Sequence, residues 1–212
     1  MPRPKSPDLE STLIAGLNAL GLPLSAVPQL LAFQAELEKW NFTYNLTAIR
    51  DPLEMVTRHV LDSLAVRPLL AGRVLDVGAG AGLPCIPVAI IAPELHLTGI
   101  DSIGKKVRFM RHAQRTLGLA NFEALEGRVE DVSPATRYDT ITSRAFASLA
   151  DFFSLTRHLL TPDGQWVAMK GKLDAQEQAA IPADVEIVEV RRLSVPGLNE
   201  ARHAVIARPK RT

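Results

Sequence analysis

A second cysteine is missing from this chain, so Cys85 has no partner and no internal disulfide can form. The five histidines are scattered, without the spacing of a metal-ligand cluster, and no structural zinc is expected. No apolar run approaches the roughly eighteen residues that a membrane span needs. The opening residues, Met1 to Pro7, are polar and proline-rich, unlike an export signal. These absences point to a soluble cytoplasmic protein without a bound metal. Charge of one sign is lacking too: 24 Lys and Arg stand against 23 Asp and Glu, for a formal net charge of +1. That balance does not advertise nucleic-acid binding, although it can conceal a locally basic face. The sequence is rich in apolar residues, 47% of 212, enough for one main core with an appendage. It shows no repeats, low-complexity tracts or linker to a second domain.

The pattern changes once along the chain. From Asp8 to about Leu20 apolar residues recur at helical spacing, with Asp8 placed as a cap and Gly21 as a stop. A second helix starts after Ser25 and becomes less regular near Asn41, and a third begins at Pro52 and continues through Arg58 and His59 towards Leu70. Residues 1–70 are therefore expected to form a helical extension packed on a main domain of residues 71–212. Such helices can simply cover one end of a sheet or can help to bind a substrate. After Arg73 strands alternate with helices, the signature of a parallel sheet covered on both faces. Strands are expected near 73–78, 95–100, 122–125, 138–141, 165–169, 185–190 and 204–207, the last two as an antiparallel pair. Pro162-Asp163-Gly164 reads as a turn, and the tail from Arg208 to Arg211 as basic and mobile.

The organising stretch runs from Val74 to Gly82: a strand ending in Asp76, then Gly78, Gly80 and Gly82 at alternate positions, then Leu83-Pro84 opening a helix. Glycines are needed where a loop turns sharply and a ligand lies against bare backbone. A dinucleotide site would place a third glycine at position 83, which is leucine, so that fingerprint fails. A carboxylate at Asp76 is poorly placed beside a pyrophosphate but suits a ligand carrying positive charge, such as the amino group and sulfonium of S-adenosylmethionine. The pattern resembles the D-x-G-x-G-x-G motif of class I S-adenosylmethionine-dependent methyltransferases. That resemblance implies an α/β, Rossmann-like fold with a seven-stranded, mostly parallel sheet.

Asp101 closes the second strand, where an acidic residue can accept both ribose hydroxyls of an adenosine or can cap the next helix. On that helix Lys105, Arg108, His112 and Arg115 form a basic stripe, either a solvated face or an RNA-facing one. In this fold the loop after the third strand, from Glu126 to Asp131, lies beside the adenine, where Val129 can touch the ring. Ser143 to Ala147 follows the fourth strand and should border the transferred methyl group. An Asn or Asp followed by two prolines and an aromatic, common in enzymes that methylate exocyclic amino groups of bases, is absent there. Methylation of pyrimidine carbon needs a cysteine nucleophile, and Cys85 lies instead in the glycine-loop helix, as a small packing residue. The remaining acceptors are an oxygen, a carboxylate or a ring nitrogen with a free lone pair.

Several ordered segments together resemble one family, the bacterial small-subunit ribosomal RNA guanine-N7 methyltransferases called RsmG, formerly glucose-inhibited division protein B. They are Asn45 to Arg50, Arg58 to Ser63, the glycine loop with Leu83-Pro84 and Ile86-Pro87, Asp101-Ser102, Ser143 to Ala147, Met169 to Gly171 and Arg202-His203. The similarity runs from about residue 30 to the end. Cys85 departs from it, standing where the family usually has glycine. The resemblance implies that Gly78 and Leu83 line the cofactor site, that Val129 and Glu130 bracket the adenosine, and that Arg144 reaches the methionine end or the target. Together with Asp76, Gly80, Gly82 and Asp101 these are the expected cofactor residues. Arg128, Arg144, Lys170 and Arg202 are expected at the catalytic rim, positioning RNA without exchanging protons. Asn45, Arg50, Arg58 and His59 lie in shared motifs at the pocket entrance, where His59 is either packed or in contact with substrate. The implied cofactor is S-adenosylmethionine, leaving as S-adenosylhomocysteine. The implied partner is small-subunit ribosomal RNA or the small ribosomal subunit, met by a monomer.

Overall fold

The computed structural model describes residues 8–144, 146, 148–171 and 175–210; the expectations for Met1 to Pro7, Ala145, Ala147, Lys172 and Arg211 lie outside the described residues. Helix α1 (Leu9–Leu20) starts where the Asp8 carboxylate accepts the Ser11 N–H and ends at Gly21, whose φ of 66° turns its own N–H back onto the helix. Helix α2 (Val27–Tyr44) stays regular past Asn41, where irregularity was expected. The reason is that buried Asn41 binds the returning loop: its amide donates to the Ile49 carbonyl and its side-chain oxygen accepts the Thr47 N–H. The helix then stops at Asn45, in the left-handed region at φ 49°. The third helix is not uniform. Asp51 caps α3 (Pro52–Met55), a wider π turn follows over Val56–Leu61, and α4 (Asp62–Leu64) completes it. Arg58 and His59 ride on the π turn, a local widening that is frequent at functional sites.

Seven strands follow: β1 (Arg73–Val77), β2 (His96–Asp101), β3 (Phe122–Glu126), β4 (Tyr138–Ser143), β5 (Leu160–Lys170), β6 (Val185–Leu193) and β7 (Arg202–Pro209). Between them lie α5 (Cys85–Ile91), α6 (Gly104–Leu117), α7 (Leu149–Thr156) and α8 (Ala175–Ala179). The strands form one sheet in the order β3-β2-β1-β4-β5-β7-β6, with β7 antiparallel to both neighbours. The chain steps outward from β1 in both directions, and ligands in open α/β sheets bind at such a reversal, beyond the carboxyl ends of the strands. Two expectations need correction. Pro162-Asp163-Gly164 is not a turn before the strand but part of β5: pairing with β4 jumps from Leu160 to Gln165 while β4 advances only from Tyr138 to Thr140, so the extra residues bulge out. Arg208 and Pro209 are not a mobile tail either, because β7 pairs Arg208 with Glu186 and Pro209 with Val185.

Alternation along the strands supplies both faces of the sheet with apolar groups. Leu75, Val77, Ile141, Trp166 and Val205 face one core, closed by Phe152 and Phe153 of α7; the Trp166 indole donates to Thr156 Oγ1 at 2.8 Å. Val74, Leu97, Val167 and Ile206 face the other, which also contains Leu13, Leu17, Phe33, Leu37, Val60 and Leu61 from the N-terminal helices. Helix α2 lies against α6: Phe33 and Trp40 both stack near Phe109, and Glu36 meets His112 at 2.6 Å. Lys105 donates to the Tyr44 carbonyl at 2.7 Å. Half of the basic stripe on α6 is thus turned to α2, and only Arg108 and Arg115 remain exposed.

Because this core is shared, Phe33→Ala is expected to cost about 3 to 5 kcal/mol in one cooperative step. Urea melts followed by tryptophan fluorescence check this, since Trp40 reports on α2 and Trp166 on the sheet. Two separated transitions would mean that the helical extension folds apart from the sheet.

Candidate active site

Two hollows lie side by side at the carboxyl edge of the sheet. The first, about 470 Å³, is bordered by Gly78, Asp101, Arg128, Val129, Glu130 and Phe146. The glycine loop leaves β1 and is pinned to the end of β2, where the Gly78 and Ala79 amides both donate to the Ile100 carbonyl. Gly78 has φ 69°, and a Cβ placed on it would meet nothing within 4 Å, so bare backbone faces open space. Gly80, at φ 60°, donates its N–H to Asp101 Oδ2 at 2.9 Å. The other Asp101 oxygen, Oδ1, accepts the Ile103 N–H at the entry to α6, and Lys106 Nζ lies 3.6 Å from Oδ2. Asp101 therefore ties loop to helix, and each of its oxygens retains a second lone pair for a ligand hydroxyl.

The remaining residues of the loop motif lie behind this surface. A Cβ on Gly82 would fall 2.3 Å from Ile86 Cδ1, so this glycine serves the packing of loop on helix, and Leu83 is buried without bordering the hollow. Asp76 is likewise wholly buried. Its Oδ2 accepts the Cys85 N–H at 3.3 Å and Oδ1 has no hydrogen-bond partner. Burial raises its carboxyl to about 7, a shift that the neighbouring Cys85 thiol and amide and the more distant Arg144 only partly offset. Cys85 is 1% exposed, as its packing role requires, and burial pushes its thiol well above the ordinary range.

The second hollow, about 290 Å³, gathers Arg144, Lys170 and Arg202 with Arg58, His59 and Asp62. Three strand ends bring them together: Arg144 follows β4, Lys170 ends β5, and β7 starts here because it runs backwards, pairing His203 with Lys170. The fourth cation expected at this rim, Arg128, borders the first hollow instead, because the loop after β3 lies on the far side of β1. Arg144, Lys170 and Arg202 do not stand ready as unpaired donors. Asp62, 3% exposed, lies 3.6 Å from Arg144 and 3.2 Å from Arg202, and Lys170 meets Glu177 at 2.6 Å. Burial pushes the Asp62 carboxyl up, opposed by the two guanidinium groups. Sequence reasoning passed over Asp62, although a charge inside Val60-Leu61-Asp62-Ser63-Leu64 signals a buried, paired carboxylate. Packing is the observed state of His59: it is buried, its Nε2 lies 2.8 Å from Thr47 Oγ1, and burial lowers it to about 4.

Sheet order and glycine loop define a methyltransferase fold. The chain superposes on a crystal structure of a SAM-dependent methyltransferase from Aquifex aeolicus with a TM-score of 0.56, over 77% of this chain and 96% of that one, at 16% identity. Within that class the chain belongs to the rRNA small subunit methyltransferase G family, GidB, whose model matches residues 26–206. Ribosomal RNA small subunit methyltransferase G of Stenotrophomonas maltophilia is 50% identical over 203 residues, covering 95% of this chain and 96% of the relative. The enzyme of the same name from Aromatoleum aromaticum is 49% identical over 204 residues, covering 92% and 97%.

Buried Asp76 and His59 have opposite pH signatures. Asp76 keeps its proton in the fold up to about 7 but loses it near 3.8 when unfolded, so its contribution is present below 3.8 and lost as pH rises through 7. His59 is neutral in the fold down to about 4 but protonates near 6.5 when unfolded, so its contribution is lost as pH falls from 6.5 through 4. Asp76→Asn should therefore gain stability relative to the unaltered protein between pH 4 and 7, by up to about 4 kcal/mol. Urea melts across that range check it, and a pH-independent difference would contradict the assignment.

Proposed function

We propose that the protein transfers a methyl group from S-adenosylmethionine to N7 of a guanine in small-subunit ribosomal RNA, in the cytoplasm, acting on the RNA or on the small ribosomal subunit. The observation that carries this reading is the open backbone at Gly78 facing the Asp101 carboxylate at the reversal point of the sheet, in a chain of this family. These features fit an adenosine. Asp101 would take the ribose hydroxyls, Val129 would lie against the adenine, Glu130 would border it, and the bare loop at Gly78 would admit the amino-acid portion. Asp76 would act from beneath the loop, holding the start of α5 through the Cys85 N–H, and not as a contact.

When bound, S-adenosylmethionine supplies a methyl group on a positively charged sulfur. A guanine N7 already has a free lone pair, so no proton has to leave and the chain needs no general base. The side chains agree with this: Asp76 is sealed under the loop, and His59 is buried against Thr47. What remains for the protein is alignment, which contributes about 7 to 11 kcal/mol when the reacting atoms are held in line. Arg144, Lys170 and Arg202 would hold the RNA beside the cofactor hollow, arginine offering two-point contacts to phosphate or to the O6 and N7 edge of guanine. Arg128 would act from the adenosine side.

Calorimetry with S-adenosylhomocysteine should give binding heat, and Gly78→Val should reduce that affinity at least about tenfold by filling the open space at a positive φ. Labelled methyl groups should pass from S-adenosylmethionine to small subunits lacking the modification and be recovered as 7-methylguanosine. Arg202→Ala should lower turnover about a hundredfold while leaving S-adenosylhomocysteine affinity in place. Label recovered in protein, or in no product, would overturn the reading.

A further inference from the structure

The carboxylates that neutralise the second hollow differ in how firmly they are held. Arg58, Arg144, Lys170 and Arg202 face Asp62, Glu177, Glu200 and Glu54, so the cluster formed by these ion pairs is neutral as it stands. The Asp62 side chain is 4% exposed and that of Glu177 16%, whereas that of Glu200 is 48% exposed. Glu200 meets Arg58 through two parallel contacts, Oε2 with Nη1 at 3.1 Å and Oε1 with Nη2 at 2.5 Å. Its Oε2 also accepts from Arg202 Nη2 at 3.2 Å. A carboxylate in such a fork presents the charge and the paired oxygens with which a phosphodiester engages arginine.

The surrounding backbone can stay in place if Glu200 departs. It lies on the loop between β6 and β7, which is anchored upstream by buried Val195 and by Leu198 packed against the core. Rotation of one half-exposed side chain into solvent is enough to open the fork. The fork also adjoins the reacting region, since Arg144 donates to the Arg58 carbonyl at 3.3 Å.

We propose that Arg58 and Arg202 form a subsite for a backbone phosphate of the substrate RNA, and that Glu200 occupies this subsite in the free protein and leaves it when RNA binds. The inference rests on the reading of the protein as an RNA methyltransferase. It adds a site whose ligand is a phosphodiester, with a built-in competitor. An RNA whose backbone cannot reach this fork must be held against the remaining, internally neutralised cations. A fitting RNA exchanges one carboxylate for one phosphate and keeps both guanidinium groups paired. The pairing with Arg58 holds the Glu200 carboxyl below its usual range, so the competitor stays ionised at neutral pH.

The test is filter binding of unmodified, transcribed small-subunit RNA between about 50 and 300 mM potassium chloride, with S-adenosylhomocysteine present. Glu200→Gln should bind about three- to tenfold tighter, with a salt dependence steeper by about one released counterion. Arg58→Ala should bind about tenfold weaker with a slope shallower by about one, and in that background the gain from Glu200→Gln should shrink to what the single Arg202 contact leaves. Binding of S-adenosylhomocysteine verifies the fold of each variant, and Arg58→Lys, which keeps the charge but not the fork, replaces Arg58→Ala if the latter misfolds. Unchanged affinity and slope in Glu200→Gln, or an equal gain with and without Arg58, overturns the proposal. The functional reading fails separately, if the unaltered protein passes no methyl group to this RNA.

Discussion

A single buried carboxylate, Asp62, joins the parts of the chain that make up the second hollow. It sits on the third helical segment, yet its partners are Arg144 beyond β4 and Arg202 at the start of β7, the latter 140 residues away along the chain. An ionised group so deeply enclosed is tolerable only while both guanidinium groups remain beside it, because removal of either leaves charge in a medium that solvates it poorly. The third helical segment supplies the anion about which two of the cationic strand ends are arranged.

The two hollows divide the chemistry according to the side of β1 on which they lie. Towards β2 and β3 the floor is bare backbone, one acidic residue already tied to two amides, and apolar Val129. Towards β4, β5 and β7 it is dense in paired charge. Arg144 is placed near the boundary by following β4, the strand next to β1. This separation follows the strand order, with Arg58, His59 and Asp62 of the third helical segment completing the second hollow.

Much of this was legible beforehand. The alternation after Arg73, the three glycines, Asp101 and the antiparallel closing pair are local patterns, and the structure shows them where their periodicity implied. What local pattern could not convey was which side of a motif faces outward. Gly78 and Gly82 look equivalent in the sequence, but one borders open space and the other is filled by Ile86. Asp76 reads as a ligand-facing acid, but its position on β1 turns it under the loop towards the start of α5. The cationic residues were identified and their counter-ions were not, since Asp62 reaches Arg144 and Arg202, and Glu200 reaches Arg58, only through tertiary folding. The bulge in β5 was hidden for a related reason: Pro162-Asp163-Gly164 has the composition of a turn, and only the pairing with β4 reveals that the strand continues through it.

The reversed direction of β7 has a consequence for how such a protein can vary. In a sheet with every strand parallel, the connection entering a strand emerges at the amino edge, remote from the chemistry. Here the segment leading into β7 opens on the same rim as the ends of β4 and β5. Insertions or exchanges between Leu193 and Arg202 can thus reshape the mouth of the second hollow while the sheet behind it is left intact, a variable surface mounted on an invariant frame.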